Sequence, residues 1–268
     1  MDQENYCKEG RYLYCIVNSN KETNLGNTGI EDNFVYMVPF NDIGAVVHHC
    51  EAEPYKSDNK EKAAEWILTH QYVIDLATKE FDTVIPLTFD TIFKGDDEIV
   101  KKWLSGEYHK LKALLVKLDG KEEYGVQIFL EDDFLNKMID ENEEIQRLKR
   151  GLENKSSGAA YLYRKRLEER VRIEKEASIN RYAKELYNKI KELADDVKVE
   201  SAKREATERW RGKQLILNLA CLVCKDRVKD LGNMLGEVNK KEGFTVRFTG
   251  PWPPYSFVRE LKTKMGED

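Results

Sequence analysis

Between Phe248 and Val258 the chain reads Phe-Thr-Gly-Pro-Trp-Pro-Pro-Tyr-Ser-Phe-Val, and three of its six prolines (Pro251, Pro253, Pro254) fall within four residues. Each proline fixes its own φ and pushes the preceding residue out of the α region, so Gly250–Pro254 is confined to a stiff extended or turn segment. Trp252, Tyr255 and Phe257 are carried on that segment with much of their conformational freedom already removed, which suits a docking surface. The same stiffness suits a segment that caps one edge of its own domain and packs inward. The residues alone leave both readings open.

Composition narrows the classes. With 268 residues the chain can form one large or two modest domains, each with a core. It is 41% hydrophobic and 35% charged, a globular but charge-rich balance, and its net charge of −5 provides no general attraction to nucleic acid. No apolar run approaches the roughly 18 residues of a membrane span. The opening Met-Asp-Gln-Glu-Asn lacks a basic region followed by an apolar core, so a cytoplasmic location is expected. Cys7, Cys15, Cys50, Cys221 and Cys224 are an odd, dispersed set, expected as free thiols. Cys221-Leu-Val-Cys224 has CxxC spacing, but residues three apart on a strand face opposite sides. No second CxxC or HxxxH completes four zinc ligands, so buried core cysteines are the expectation.

Along the chain, Tyr12–Val17 is a β-branched and aromatic run followed by the polar loop Asn18–Gly29. Phe34–Pro39 and Gly44–Cys50 read as a hairpin about Asn41–Gly44. Asp58–Phe81 is helical, with Asp58 as its cap; Thr83–Phe89 reads as a strand and Asp96–Val116 as a second amphipathic helix. The order βββαβα defines an N-terminal α+β domain over residues 1–120, ending in the polar connection Lys117–Tyr124. Residues 121–268 then read as a strand (Gly125–Leu130), a charged helix (Glu131–Leu152), a break at Glu153–Gly158 and a long helix (Ala159–Ala194). Strands at Val197–Glu200 and Gln214–Val223, a helix at Lys225–Lys240 and a last strand at Phe244–Phe248 follow. This β-αα-β-β-α-β order is the ferredoxin-like split βαβ pattern with an enlarged helical crossover.

In the long helix, ten of the thirteen residues from Arg164 to Glu176 are charged, above an apolar row of Tyr163, Leu167, Val171, Tyr182, Leu186, Ile190 and Leu193. It fits a solvated helix with one face on the core. It also fits a coiled-coil-like antiparallel pair with Glu131–Leu152, making residues of about 131–194 an arm for self-association or partner binding.

The peptide Val246-Arg-Phe-Thr-Gly-Pro-Trp-Pro-Pro-Tyr-Ser-Phe-Val258 resembles the C-terminal signature of the GvpF/GvpL family of gas vesicle proteins. Tyr12-Leu-Tyr-Cys-Ile-Val17 is similar to that family's opening strand, and Ile85-Pro-Leu-Thr-Phe89 to its mid-domain segment. Gly158-Ala-Ala-Tyr-Leu-Tyr-Arg-Lys-Arg166 resembles the start of its long helix, and Leu217-Asn-Leu-Ala-Cys-Leu-Val223 a late apolar strand. The resemblance implies a ferredoxin-like C-terminal domain. It also implies an assembly or minor structural role in the gas vesicle, through binding of the hydrophobic major shell protein and contacts with other gas vesicle accessory proteins. On that reading the partner-binding residues are Trp252, Pro253, Pro254 and Tyr255, supported by Arg247.

Catalytic patterns are scarce. His48, His49, His70 and His109 form no HxxxH, HExxH or HxH; His48 and His49 are expected on opposite faces of a strand, and His70 in a core. There is no GxSxG, P-loop or GxGxxG, so no catalytic residue, metal or cofactor is assigned and an enzyme is not expected. The alternative is an RNA-binding module, since RNA-recognition domains share the βαββαβ layout. Against it, Gln214–Val223 has no stacking aromatic, and the basic cluster Lys203, Arg204, Arg209, Arg211 and Lys213 around Trp210 is diluted by Glu205 and Glu208.

Overall fold

The computed structural model describes residues 9–153, 157–201 and 211–258. The chain divides into two compact units, the first running to Glu123 and resuming at Pro251, the second spanning Tyr124–Gly250.

In the first unit, β1 (Glu9–Val17), β2 (Asn24–Gly26), β3 (Val35–Phe40), β4 (Ile43–Glu51) and β5 (Val84–Pro86) form a sheet in the order β2-β3-β4-β1-β5. β6 (Ile92–Lys94) also pairs with β1. Helices α1 (Lys60–Phe81) and α2 (Asp97–Leu118) pack against this sheet. The β3–β4 hairpin turns where expected: Phe40 pairs with Ile43, and Asn41 takes a φ of 52°, a conformation its short polar side chain tolerates. β1 pairs on both sides and is buried along almost its whole length, as its β-branched and aromatic content demands. Between Leu13↔Val47 and Cys15↔Val46 the register slips, so Tyr14 is an extra residue in the strand. That bulge lets Tyr12, Tyr14, Cys15 and Val17 all enter one core with Trp66, Val73, Ile74 and Ala77 of α1.

Local differences from the expected elements have plain causes. Asn59, not Asp58, caps α1, its side chain accepting the Glu61 and Lys62 N–H groups. Asp96 caps α2 as expected. The strand expected over Thr83–Phe89 is shorter, Val84–Pro86, with one further bond beyond it from the Leu87 N–H to the Tyr14 carbonyl at 2.9 Å. The loop Asn18–Gly29 contributes the short edge strand β2.

The second unit continues with β7 (Lys121–Glu131), α3 (Asp132–Asp140), α4 (Glu143–Glu153), α5 (Ser157–Leu193), β8 (Asp196–Val199), β9 (Lys213–Cys224), α6 (Val228–Asn239) and β10 (Phe244–Trp252). Its sheet runs β10-β7-β9-β8. Tyr124, Val126 and Ile128 alternate along β7, and Leu219, Cys221 and Val223 along β9, so one face of each strand meets Leu186 and Ile190 of α5 and Leu231, Leu235 and Val238 of α6. Cys221 is therefore a core residue, while Cys224 lies half-buried outside that row.

Glu131–Leu152 is two helices rather than one. Asn142 interrupts it by accepting the Glu144 N–H at 3.0 Å, a new N-cap in mid-run. α4 then runs antiparallel to α5: Glu144 pairs with Arg170 at 2.8 Å, and Gly151 lies beside the Tyr163 ring. The length of α5 follows from serving two cores. Leu167, Val171 and Tyr182 cover a small cluster of Leu130, Leu135, Ile139 and Ile145. Leu186, Ile190 and Leu193 cover the sheet. Cys7, Lys203, Arg204, Arg209 and Trp210 lie outside the described residues. Of the basic cluster, Lys213 is committed internally, donating to Thr245 Oγ1 at 2.7 Å and facing Glu131 at 3.2 Å.

Candidate protein-interaction site

β10 leads into the proline–aromatic peptide. Gly250 takes a φ of 132°, which an L side chain rarely adopts, just before Pro251. Trp252 ends the strand with half of its side chain exposed (51%). Beyond it the chain turns inward and Pro253 and Pro254 are buried. Pro254 has φ −76° and ψ 52°, and the Tyr255 N–H donates to the Pro253 carbonyl at 2.7 Å, the geometry of an inverse γ-turn. The Phe257 N–H then closes one turn of 3-10 helix on the Pro254 carbonyl at 3.0 Å.

Two polar contacts fasten this turn within the first unit. The Tyr255 hydroxyl donates to Gln71 Oε1 of α1 at 3.1 Å, and its ring packs on the core beneath, where burial pushes the phenol pKa up. Ser256 reaches the buried Glu123 twice, its N–H at 2.9 Å and its hydroxyl at 2.7 Å from the two carboxylate oxygens. Charge-assisted pairs of this kind are about twice as strong as neutral ones. Phe257 and Val258 are buried, and Lys117 Nζ stands 5.9 Å from the Phe257 ring centroid.

The five residues predicted to bind a partner thus have different settings. Trp252 is half-exposed, Pro253 and Pro254 are buried and Tyr255 is half-buried against the core. Arg247 is exposed on β10 with Nη1 3.5 Å from Gln127 Oε1. The inward-packing reading describes Pro253 through Val258, and Trp252 is the aromatic of the peptide that faces outward.

A second feature of the first unit is a buried histidine–tyrosine network. The His70 Nε2–H donates to the Leu87 carbonyl at 3.1 Å, so neutral Nδ1 accepts the Tyr12 hydroxyl proton at 2.9 Å. Tyr12 in turn accepts the Asp90 N–H at 3.0 Å. Tyr14 accepts the Ile30 N–H at 3.0 Å and lies 2.7 Å from His48 Nδ1, whose Nε2 meets the Tyr55 hydroxyl at 3.1 Å. Burial lowers both histidines from the usual 6.5 to about 4, holding them neutral. His48 is buried and His49 exposed, as neighbours on a strand must be. His70 is the core residue its helical spacing predicted. The tyrosine partners were not foreseen; the alternation of Tyr12 and Tyr14 in an apolar strand was the signal available. Among the described residues no group of three or more His, Cys, Asp or Glu side chains could hold a metal ion. Among those residues, too, no helix is long and apolar enough to cross a membrane.

Fold and site define a mixed α and β protein of two units, with a buried histidine–tyrosine network in the first and a proline-framed tryptophan at a strand end. The chain belongs to the GvpL/GvpF family: the profile described as gas vesicle synthesis protein GvpL/GvpF matches residues 10–259. It is 30% identical to gas vesicle protein L1 of Halobacterium salinarum over 265 residues, covering 97% of this chain and 94% of that one. It is 31% identical to gas vesicle protein L of Haloferax mediterranei over 301 residues, covering 97% and 90%. The crystal structure of the gas vesicle protein GvpF from Anabaena sp. superposes with a TM-score of 0.71 at 21% identity, over 93% of this chain and 98% of that one, which shows a shared fold. Family membership gives the chain a role in the gas vesicle system.

Proposed function

We propose that this protein is an assembly factor or minor structural protein that binds the hydrophobic major shell protein and supports its incorporation into the vesicle. It works by contact rather than by catalysis, in the cytoplasm and at the growing vesicle, where other gas vesicle accessory proteins are further partners. A shell subunit that walls off gas must carry extensive apolar surface, and such surface aggregates when left uncovered. The observation that carries the reading is Trp252, half-exposed at the end of β10 on a backbone stiffened by Pro251 and Pro253. Tryptophan is enriched among the residues that dominate binding energy, and a preset backbone lowers the entropic cost of contact. In this view Pro253, Pro254 and Tyr255 serve as the frame, and Arg247 adds a charge from β10. The second unit is read as ferredoxin-like, supported by its strand order β10-β7-β9-β8 and by the helices that precede β8 and β10.

Co-expression with the major shell protein, followed by co-purification at low and high salt, tests the reading. Retention that survives high salt is expected for a largely apolar contact. Trp252→Ala is expected to weaken binding by about 2 kcal/mol, roughly 30-fold in Kd, with an unchanged circular dichroism spectrum. Equal retention of wild type and variant removes Trp252 from the contact. Loss of shell protein with nucleic acid carried through instead favours an RNA-binding role.

A further inference from the structure

Helix α1 has two apolar stripes. One, with Trp66, His70, Val73, Ile74 and Ala77, is buried in the core of the first unit. The other, Ala64, Leu68 and Tyr72 at successive four-residue steps, faces outward; Leu68 is 70% exposed, and Glu61, Glu65 and Thr69 complete a shallow groove around it. A helix packed only on its own domain needs a single stripe. Glu61 and Glu65 take part in no ion pair among the described residues, so the groove is apolar with uncompensated negative charge at its N-terminal end.

The second unit carries a patch of the opposite charge. The first turns of α5 expose Tyr161 and Leu162, the latter by 63%, and Arg164, Lys165 and Arg166 follow at once, all exposed. Lys165 pairs with Glu168 at 2.8 Å, whereas Arg164 and Arg166 have no ion pair among the described residues. These residues lie in the Gly158–Arg166 motif, for which the shell-protein reading has no use. Both patches are solvent-exposed.

We propose that the α1 groove of one molecule receives the Tyr161–Leu162 corner of a second copy. Leu162 and Tyr161 pack against Leu68 and Tyr72, while Arg166 and Lys165 face Glu61 and Glu65. Complementary charge around an apolar contact sets register and speeds encounter, and arginine adds planar, bidentate recognition of a carboxylate. The contact is heterologous: it joins two different surfaces, so each molecule keeps one donor and one acceptor patch and assembly can close into a ring or extend. It needs no shell protein and is independent of the function proposed above.

The test uses the full chain alone, by sedimentation velocity across a concentration series at low and high salt. The wild type is expected to rise above the monomer mass with concentration, more strongly at low salt, because exposed ion pairs are screened. The double variants Glu61→Arg with Glu65→Arg and Lys165→Glu with Arg166→Glu each place like charges in the contact and are expected to weaken self-association by about tenfold or more. All four positions are on the surface, so circular dichroism should match the wild type. An equimolar mixture of the two variants pairs an intact groove with an intact corner and a reversed groove with a reversed corner, and is expected to recover assembly that neither variant shows alone. A wild type that stays monomeric at every concentration overturns the proposal. So does either variant that assembles like wild type, or a mixture that stays monomeric.

Discussion

Acidification to pH 5 should destabilise the first unit by an amount set by His48 and His70. In the folded protein both titrate near 4, against 6.5 for an accessible histidine. Between those values the unfolded chain binds protons that the folded chain excludes, so stability falls as pH drops. The contribution is complete above pH 6.5, declines below it, and is lost by about pH 4. At pH 5 the linkage relation gives about 2 kcal/mol for each histidine, or about 4 kcal/mol for the two, a large part of an ordinary folding free energy. Carboxylates held low by ion pairs, such as Asp42 beside Lys112, release their stabilisation only at lower pH, so the step from pH 7.5 to pH 5 isolates the histidines. Urea unfolding of a Trp210→Phe background followed by tryptophan fluorescence is a suitable readout, because the other three of the four tryptophans, Trp66, Trp103 and Trp252, belong to the first unit. His70→Gln should lower stability at pH 7.5 and roughly halve the pH slope. The reasoning fails if the urea midpoint is the same at pH 7.5 and pH 5, or if both rings titrate near 6.5 by NMR in the folded protein.

Other substitutions test the frame of the site and the helical arm. Ser256→Ala removes a hydroxyl donor from the buried Glu123 carboxylate and should cost about 1.5–3 kcal/mol in the unfolding of the first unit, read from the same urea curves. Gly243→Ala places a Cβ against the Phe134 ring at a backbone φ of 80°. The conformation alone costs about 1–2 kcal/mol and the collision adds to it, so a lowered thermal midpoint is expected. Asn142→Ala deletes the cap that starts α4 and should cost about 1 kcal/mol, with faster amide exchange in the first turn of that helix.

Much of the fold was legible because its elements follow simple periods. The apolar row of the long helix identifies a face, and from Leu167 to Leu193 that face meets the cores that its spacing implied. Asn142 was harder to read, because residues 132–150 around it contain neither glycine nor proline and a charged helix passes smoothly through asparagine on pattern alone. The candidate site was legible in its backbone and illegible in its orientation. Prolines announce a stiff segment, but nothing local in Pro-Tyr-Ser-Phe says that Ser256 will meet Glu123, 133 residues earlier. Long-range polar pairs of that sort, like those joining Tyr12 to His70 and Tyr14 to His48, are fixed by topology, which periodicity does not encode.

The return of the chain to its first unit at Pro251 sets an order of events during synthesis. A domain contiguous in sequence can complete its core as soon as it leaves the ribosome. Here the surface that receives Tyr255, Phe257 and Val258 must wait for the whole second unit to be made, and Glu123 waits with it for Ser256. A chain cut short anywhere in the second unit leaves that surface bare and its buried carboxylate without the serine. Completion of the N-terminal unit therefore requires translation through residue 258, and shortened products expose the apolar surface that Tyr255, Phe257 and Val258 otherwise cover.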